Sequence, residues 1–446
     1  MTRFPSRESF VDVITNGKFH YLWLNQLLFQ LSLGLLNFSI IILLRQLTGS
    51  STIISIFVMT VILPTVLFGV FAGVVADILD RRKIILAVDL GLAAMMTLYI
   101  LFANNIPILL LLSLLFNSIG QFFIPAEAAS IPMVVGKKQI FIANSLFSFT
   151  LYGGQFLGFS VAGFIILKYG YDAIFILVSL NLLLASVFTR FLPQLLPTQN
   201  EMRLDWDEVK ILFSKTLIRV REGIQFIVSN VRILSSIVVL AGVQGVVGIL
   251  AALSTGYAEN VLKIRAADAS YTTIVPVGLG LIIGALSVGK FGKSISRRSL
   301  IASGVLFAGV LLTLIGSLPA VVSSIAGIEF FTGPIRTYTN IEVVPITTTL
   351  SFLGFWLGFS VTPILIPAHT VIQENTPDSI RGRVYSVLMI LVSTMAAIPI
   401  VIAGGLADIL GIATVFVWVG VFVTISGIGL LLLPVLRTYL PSWARF

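Results

Sequence analysis

Long apolar runs, separated by short polar stretches, repeat along the whole chain. A hydrocarbon core of about 30 Å needs about 20 apolar residues in one helix, and the alternating ten-residue segments of a membrane barrel are absent from the sequence. The pattern predicts an all-α membrane protein with twelve transmembrane helices. The predicted spans lie near residues 20–43, 52–76, 84–103, 107–135, 140–167, 171–193, 233–257, 271–289, 299–325, 346–373, 384–405 and 411–436.

The longest polar interruption falls between the sixth and seventh spans and divides the chain into three parts. We predict a six-helix half at 1–193, a linker at 194–232 and a second six-helix half at 233–446. Within the linker, apolar residues recur at helical spacing between charges, which is typical of a helix along the membrane surface or of a tethering helix. These residues are Val209, Leu212, Phe213, Leu217, Val220, Ile224, Ile227 and Val228.

The two halves resemble each other in sequence. "GVVADILDRRK" at residue 73 has a degraded counterpart in "GKFGKSISRRS" at residue 289, with an arginine pair at the same spacing. "PAEAASIPMVVGKKQIFIANS" from Pro125 aligns with "PAHTVIQENTPDSIRGRVYS" from Pro367. Both matches join corresponding spans, so we predict two pseudo-symmetric halves. Such internal repeats are typical of secondary transporters.

The composition agrees with a membrane protein and gives it an orientation. The chain is 57% hydrophobic and 11% charged, whereas soluble domains carry about 25% charged residues. With the N-terminus inside, the predicted outer loops hold five of the 28 basic residues, which favours cytoplasmic termini. We therefore interpret the net charge of +9 as a determinant of membrane topology. No nucleic-acid partner is predicted. The basic residues of the outer loops are Arg45, Lys168, Lys263, Arg265 and Arg336.

Several kinds of chemistry find no support in the sequence. The chain has no cysteine, so disulfides and thiolate chemistry are excluded. We expect no metal site and no cofactor, and no nucleotide-binding loop of the form G-x-x-x-x-G-K-[ST] is present. We also expect no cleavable signal, because the first apolar run follows a polar stretch, is too long for a signal and leads into further spans.

The loop between the second and third spans resembles the signature of the major facilitator superfamily, G-x-x-x-D-[RK]-x-G-R-[RK]. Gly73, Asp77, Arg81 and Arg82 match it, whereas an isoleucine and Asp80 replace a basic residue and the second glycine. "ADILDRRKIILAVDL", "IQENTPDSIRGRVYS" and "VREGIQFIVSN" are similar to the branch that holds bacterial macrolide efflux proteins and the enterobactin exporter. The resemblance implies the major facilitator fold over essentially the whole chain.

The same resemblance implies a cytoplasmic gate. In the family, Asp77 and Arg81 would form a charge relay with an acid at the inner end of the fourth span, for which Glu127 is placed. The alternative is that the basic loop is only a topology signal. The predicted gate residues are Gly73, Asp77, Asp80, Arg81, Arg82, Glu127, Arg297, Arg298, Arg381 and Arg383.

Polar residues inside the spans form stripes. Gln26, Gln30 and Asn37 lie within about 40° of one another on the first span at 100° per residue, and Asn117 and Gln121 repeat the pattern on the fourth. The resemblance implies that spans one, four, seven and ten line a substrate cavity. Hydrogen bonding between helices is the alternative role. The predicted cavity residues are Gln26, Gln30, Asn37, Asn117, Gln121, Gln244, Thr362, His369 and Gln373.

Two acids lie clearly within spans, and a carboxyl group inside a membrane is a candidate for proton coupling. They are Asp89 and Glu127. Asp89 lies about 9 Å past the basic loop at 1.5 Å per residue, so structural pairing with the gate is an equal possibility. The fifth span keeps Gly154, Gly158 and Gly163 of the glycine-rich antiporter motif, but Phe159 replaces its proline.

These features predict a secondary active transporter that works by alternating access. We expect a proton-coupled exporter of amphipathic or hydrophobic small molecules, drug- or siderophore-like, acting as a monomer in the bacterial cytoplasmic membrane. An uncoupled lipid or lysolipid flippase is the alternative, because buried acids are few. An enzyme is not expected, since a membrane enzyme on lipid-linked substrates would need a cluster of catalytic groups.

Overall fold

The computed structural model describes residues 13, 15–136, 139–196, 218, 220–261, 270–291, 295–326, 343–377 and 380–439. All regular structure in these residues is helical. The helices are α1 (Gly17–Thr48), α2 (Ser51–Ile78), α3 (Arg81–Phe102), α4 (Ile106–Gly120), α5 (Phe123–Val134), α6 (Ile140–Arg190), α7 (Val231–Gly256), α8 (Val275–Phe291), α9 (Arg297–Ala326), α10 (Val343–Asn375), α11 (Arg381–Leu410) and α12 (Ile412–Tyr439). Two π-helical turns, Tyr257–Val261 and Ser270–Ile274, lie between α7 and α8.

The longest helix contains two membrane spans. Eleven segments of the described residues are long and apolar enough to cross a membrane. At 1.5 Å per residue, the 51 residues of α6 would extend about 75 Å, more than twice the hydrocarbon thickness. Gly170 interrupts α6 with φ 81° and ψ −178°, a conformation that glycine adopts readily. Gly170 lies between the predicted fifth and sixth spans, so the prediction of twelve spans is confirmed.

The predicted fourth span consists of two helical segments. Gln121 and Phe122 form a turn between α4 and α5, in which Phe122 N–H donates to Ile119 O at 3.2 Å. Pro125 explains the break, because proline has no N–H to donate to Gln121 O, four residues earlier, and its ring clashes with that carbonyl. The α-helical hydrogen bonding of the span is therefore interrupted just before Glu127.

The contacts divide the chain into two compact units. The first contains Met1–Thr48 and Ile56–Ile224, and the second contains Gly49–Ser55 and Gln225–Phe446. The boundary between the long segments of the two units lies between residues 224 and 225, inside the predicted linker. Gly49–Ser55 belongs to the second unit because Asp408 binds it: Ser51 N–H donates to Asp408 Oδ1 at 2.7 Å and Thr52 N–H to Oδ2 at 3.0 Å.

Glycines allow close helix packing within each unit. In the first unit, a Cβ on Gly158 of α6 would lie 2.7 Å from Leu35 N of α1, and a Cβ on Gly154 would lie 2.9 Å from Gln30 Cβ. In the second unit, a Cβ on Gly427 of α12 would lie 2.6 Å from Leu306 Cα of α9. Small residues permit such contacts between membrane helices, where van der Waals packing drives association.

The predicted linker helix is described only in part. Val209, Leu212, Phe213 and Leu217 lie outside the described residues, whereas residues 220–229 are helical. In this segment Ile227 is fully buried, but Ile224 and Val228 are exposed. The described end of the linker is thus helical, and its apolar face is buried at Ile227 and exposed at Ile224 and Val228.

Candidate gate and buried polar cluster

Asp80 caps the first turn of α3. Its Oδ1 accepts hydrogen bonds from Arg82 N–H at 3.0 Å and from Leu195 N–H at 3.1 Å, and Arg81 N–H donates to Leu195 O at 3.2 Å. An aspartate at this position satisfies an amide that the helix leaves unpaired. The departure from the superfamily signature, in which glycine is usual, therefore gives α3 an N-cap and ties its start to the segment after α6.

The two arginines of the loop bind backbone carbonyls of neighbouring helices, two of them near a helix C-terminus. Arg81 Nε donates to Ala76 O of α2 at 3.2 Å, and its Nη1 donates to Ala129 O of α5 at 2.9 Å. Arg82 Nη2 donates to Arg190 O, at the last residue of α6, at 2.7 Å. The final carbonyls of a helix lack intrahelical donors and carry partial negative charge, which a guanidinium group stabilises. The arginine pair therefore joins α3 to three other helices.

The predicted charge relay is not formed as a set of hydrogen bonds among the described residues. Asp77 is exposed, and Arg81 donates to backbone carbonyls and to Met133 Sδ. Glu127 is 5% exposed, and its Oε1 has no hydrogen-bond partner in the described part of the chain. A relay of Asp77, Arg81 and Glu127 therefore stays a prediction for another state of the protein.

Asp89 lies in a buried polar cluster that the sequence did not reveal. Asn25 Nδ2 of α1 donates to Asp89 Oδ2 at 2.6 Å and lies 2.8 Å from Thr189 Oγ1 and 3.0 Å from Ala185 O of α6. Thr189 Oγ1 is 3.3 Å from Asp89 Oδ2. Asn25, Asp89 and Thr189 are each 0% exposed. The carboxyl group is thus held by neutral side chains from two other spans.

Glu127 of α5 is the second of the two predicted intramembrane acids and is also buried, at 5% exposure. The sequence analysis did not predict Asn25 as a site residue, because Asn25 lies on a different face of its helix from the Gln26 and Gln30 stripe. It did not predict Thr189 either, because a threonine near a helix end has no distinctive sequence pattern.

The second unit has its own arginine pair at the start of α9. Arg297 Nη2 donates to Glu374 Oε1 of α10 at 2.6 Å, and Arg297 Nη1 pairs with Oε2. Arg298 Nε and Nη2 donate to Leu430 O of α12 at 3.3 and 3.2 Å. Glu374 is absent from the predicted gate, although its place before the basic start of α11 could have indicated it. Arg381 and Arg383 begin α11, and their side chains lie outside the described residues.

Two glutamines of the predicted cavity bind another helix of their own unit. Gln26 Nε2 donates to Phe147 O at 3.1 Å, and its Oε1 accepts from Thr150 Oγ1 at 2.7 Å. Gln30 Oε1 accepts from Gln155 Nε2 at 3.2 Å. Both glutamines are at most 2% exposed. In this structure they join α1 to α6, which is the alternative role that the sequence left open.

The other predicted cavity residues have varied surroundings. Asn117 Nδ2 donates to Ser113 O and Thr362 Oγ1 to Phe359 O, both within their own helices. The imidazole of His369 stacks on Tyr385, with ring centroids 6.5 Å apart. Asn37 and Gln121 are half-buried, and Gln244 and Gln373 are exposed. A substrate cavity lined by these side chains stays a prediction.

A fold of twelve spans in two compact units, with an arginine pair at the start of one helix in each, defines a polytopic membrane transporter. The Major Facilitator Superfamily profile matches residues 22–341, which is more than half of the chain. The chain belongs to this superfamily.

Relatives and solved structures agree with this assignment. Macrolide efflux protein A of Streptococcus pyogenes is 26% identical over 313 residues, covering 68% of this chain and 73% of that protein. The multidrug efflux pump Tap of Mycolicibacterium fortuitum is 24% identical over 420 residues, covering 89% of this chain and 90% of that protein. The crystal structure of the nucleoside transporter NupG has a TM-score of 0.72 at 10% identity, covering 93% of this chain and 98% of that chain. The resemblance to macrolide efflux proteins inferred from the sequence is confirmed.

A bacterial homolog of the human lysosomal transporter Spinster has a TM-score of 0.71 at 14% identity, covering 96% of this chain and 97% of that chain. At such low identities the solved structures establish the fold alone. The protein is therefore a multi-pass membrane transporter with the major facilitator fold, similar in sequence to efflux pumps.

Proposed function

We propose that this transporter exports amphipathic or hydrophobic small molecules, drug- or siderophore-like, in exchange for protons. Its relatives include a macrolide efflux protein and a multidrug efflux pump. The observation that carries proton coupling is the burial of two carboxyl groups, Asp89 and Glu127, inside the first unit, with 0% and 5% exposure. An isolated buried carboxylate is costly, so these groups favour a bound proton unless another cation replaces it.

The gate of the proposed mechanism lies at the start of α3. Arg81 and Arg82 bind carbonyls at the ends of α2 and α6, contacts that one conformation can make and another can lose. We place both termini and this loop on the cytoplasmic side, because most basic residues then lie inside. The protein acts as a monomer in the bacterial cytoplasmic membrane and alternates between inward and outward access, with Asp77, Arg81 and Glu127 meeting in the outward-facing state.

The substrate class is tested by growth of a susceptible strain that expresses the protein. Export predicts at least about a fourfold rise in the inhibitory concentration of one or more compounds in a panel of macrolides, other apolar drugs and siderophores. The Arg81→Ala variant, with membrane insertion checked by immunoblot, serves as the control. A panel without any change in resistance, at verified expression, would contradict export of these compounds.

Coupling is tested in proteoliposomes with an imposed pH difference and a radiolabelled macrolide as the probe. We expect the pH difference to raise the transport rate of wild type, and the response to disappear in Asp89→Asn or Glu127→Gln. Asp172→Asn is the matched control, because it removes an exposed carboxyl group of α6. If wild-type transport ignores the pH difference, proton exchange is wrong.

A further inference from the structure

Met133 contacts the arginine of the proposed gate through its sulfur. Arg81 Nη1 donates to Met133 Sδ at 2.8 Å and to Ala129 O, one turn earlier on α5, at 2.9 Å. The same side chain donates through Nε to Ala76 O of α2 at 3.2 Å. A thioether sulfur is a weak acceptor, so Met133 contributes the weakest of these three bonds.

Met133 is also accessible from outside the protein. It is 41% exposed and is the second-last residue of the span Ile106–Val134. Exposure alone does not distinguish it, because Met389 and Met395 of α11 are exposed as well. Among the described methionines, however, Met133 is the one whose sulfur accepts a hydrogen bond. A chemical change at this sulfur would therefore act directly on a gate residue.

Oxidation changes the hydrogen bonding of a thioether. A methionine sulfur reacts with a peroxide to give the sulfoxide, a polar group that reductases convert back. In this two-electron step the sulfur lone pair attacks one oxygen of hydrogen peroxide, an S–O bond forms and the O–O bond breaks. The hydroxide that leaves takes up the proton of the transferred oxygen and becomes water. The sulfur is oxidised, the peroxide is reduced, and the side chain gains an oxygen acceptor.

We propose that Met133 is a site of peroxide oxidation, and that its sulfoxide strengthens the bond between Arg81 and α5. The sulfoxide oxygen accepts a charge-assisted hydrogen bond from the guanidinium group, which is stronger than a bond to a thioether. Because Met133 is partly exposed near the end of its helix, the added oxygen has room without displacing buried side chains. The inference rests on the proposed gate and adds to it a reversible control by oxidants.

A stronger bond at this place slows the gate. Arg81 joins α3 to α2 and α5, and the proposed alternation between inward and outward access requires these contacts to break. One additional net hydrogen bond of ordinary strength slows a step that must break it about fivefold. The oxidised transporter would therefore cycle more slowly, and reduction of the sulfoxide would restore the rate.

The first test needs no transported substrate. The purified full-length protein is treated with hydrogen peroxide, catalase removes the excess, and peptide mass spectrometry measures the oxygen added at Met133. Hydrogen–deuterium exchange then follows the backbone amides at the end of α5 and the start of α3. We expect slower exchange after oxidation and recovery after treatment with methionine sulfoxide reductases for both epimers. Arg81→Ala should remove this difference, because the sulfoxide then lacks its donor.

The second test measures uptake of a radiolabelled macrolide by proteoliposomes and compares each variant before and after oxidation. The rate of wild type should fall about fivefold, and that of Met133→Leu should not change. Met133→Gln supplies an amide oxygen close to the place of the sulfoxide oxygen, so it should transport slowly without peroxide. Met395→Leu is the matched control, because it removes a methionine of similar exposure, 42%, and should respond to peroxide as wild type does.

Four results would overturn the inference. The first is a Met133 that stays unoxidised at a peroxide dose that oxidises Met389 and Met395. The second is unchanged or faster exchange at the end of α5 in fully oxidised wild type. The third is an unchanged transport rate at complete oxidation of Met133, and the fourth is an equal loss of rate in Met133→Leu. If the chain exports no compound of the panel, the first two results still decide whether oxidation occurs and tightens α5.

Discussion

The two arginine pairs, at the starts of α3 and α9, share one contact and differ in the other. In both units the second arginine donates to a backbone carbonyl of the unit's last helix: Arg82 to Arg190 O of α6 and Arg298 to Leu430 O of α12. The first arginine differs, because Arg81 binds backbone carbonyls, whereas Arg297 binds the carboxylate of Glu374.

The two units also differ in the surroundings of the acidic residue near the end of their fourth span, Glu127 in the first unit and Glu374 in the second. Glu374 is about half exposed and paired with Arg297, whereas Glu127 is 5% exposed and its Oε1 has no hydrogen-bond partner among the described residues. An arginine at the surface favours the ionised form of its partner acid, whereas burial without a partner favours the protonated form of a carboxyl group. We therefore keep ion coupling, as proposed above, to the first unit and assign a surface ion pair to the second.

The N-caps of the two helices give the largest expected contrast in stability. Asp80 accepts from Arg82 N–H and from the buried Leu195 N–H, whereas Ser296 Oγ accepts only from Ser299 N–H among the described amides. Asp80→Ala should cost about 2 kcal/mol, because a cap and a buried partner are both lost. Ser296→Ala should cost about 0.5–1 kcal/mol. Thermal unfolding of the purified protein in detergent measures both.

Asp80→Asn is the control for this contrast, since asparagine caps helices about as well as aspartate. It should recover most of the stability that Asp80→Ala loses. Equal losses for Asp80→Ala and Ser296→Ala would show that the bond to Leu195 contributes nothing.

The first arginines give the next contrast, in transport. Arg81→Ala should reduce the transport rate at least about tenfold, which corresponds to about 1.4 kcal/mol, because it frees α2 and α5 from α3. Arg297→Ala should reduce it less, because its partner is exposed on the surface. The measurement is efflux of a macrolide from cells with matched membrane levels of the two variants. A larger loss for Arg297→Ala would reverse the proposed division between the units.

The sequence predicted the fold more completely than the site. Apolar runs located the twelve spans, including the two that meet at Gly170, because span length depends on hydropathy alone. The break before α5 was missed although Pro125 is visible in the sequence, since many membrane helices tolerate proline. The position of the break depends on which backbone carbonyl the proline ring clashes with.

Site residues were predicted where the sequence of a single helix marks them. They were missed where only the packing of several helices brings them together. Asp89 and Glu127 stand out as acids in apolar spans. The partners of Asp89, Asn25 and Thr189, lie 64 and 100 residues from it along the chain, and periodicity within one helix cannot join them. Glu374 was missed because the repeat alignment from Pro125 and Pro367 pairs Glu127 with His369, not with an acid.

The shared contact predicts similar behaviour for the second arginines. Arg82→Ala and Arg298→Ala each remove a guanidinium group from a helix carbonyl, so their effects on transport should agree within about threefold. Arg82→Lys and Arg298→Lys keep the charge and serve as controls, and each should recover part of the loss. Macrolide efflux at equal expression measures all four. A much greater loss for Arg82→Ala would show that its link to Arg190, next to Thr189, adds a function that the second unit lacks.

The smallest expected effect concerns the ion pair of the second unit. Arg297 and Glu374 are each about half exposed, and water and salt screen such pairs. Glu374→Ala alone should therefore change transport only a few-fold. The exchange Arg297→Glu with Glu374→Arg should restore the rate better than either single change, because the attraction survives reversal. No rescue by exchange would mean that Arg297 acts through a backbone contact, as Arg81 does, and the contrast between the two first arginines would disappear.

The same measurements at high salt provide a second check of the ion pair. Salt screens the attraction in wild type, so the transport rates of the single variants should approach the wild-type rate as salt rises.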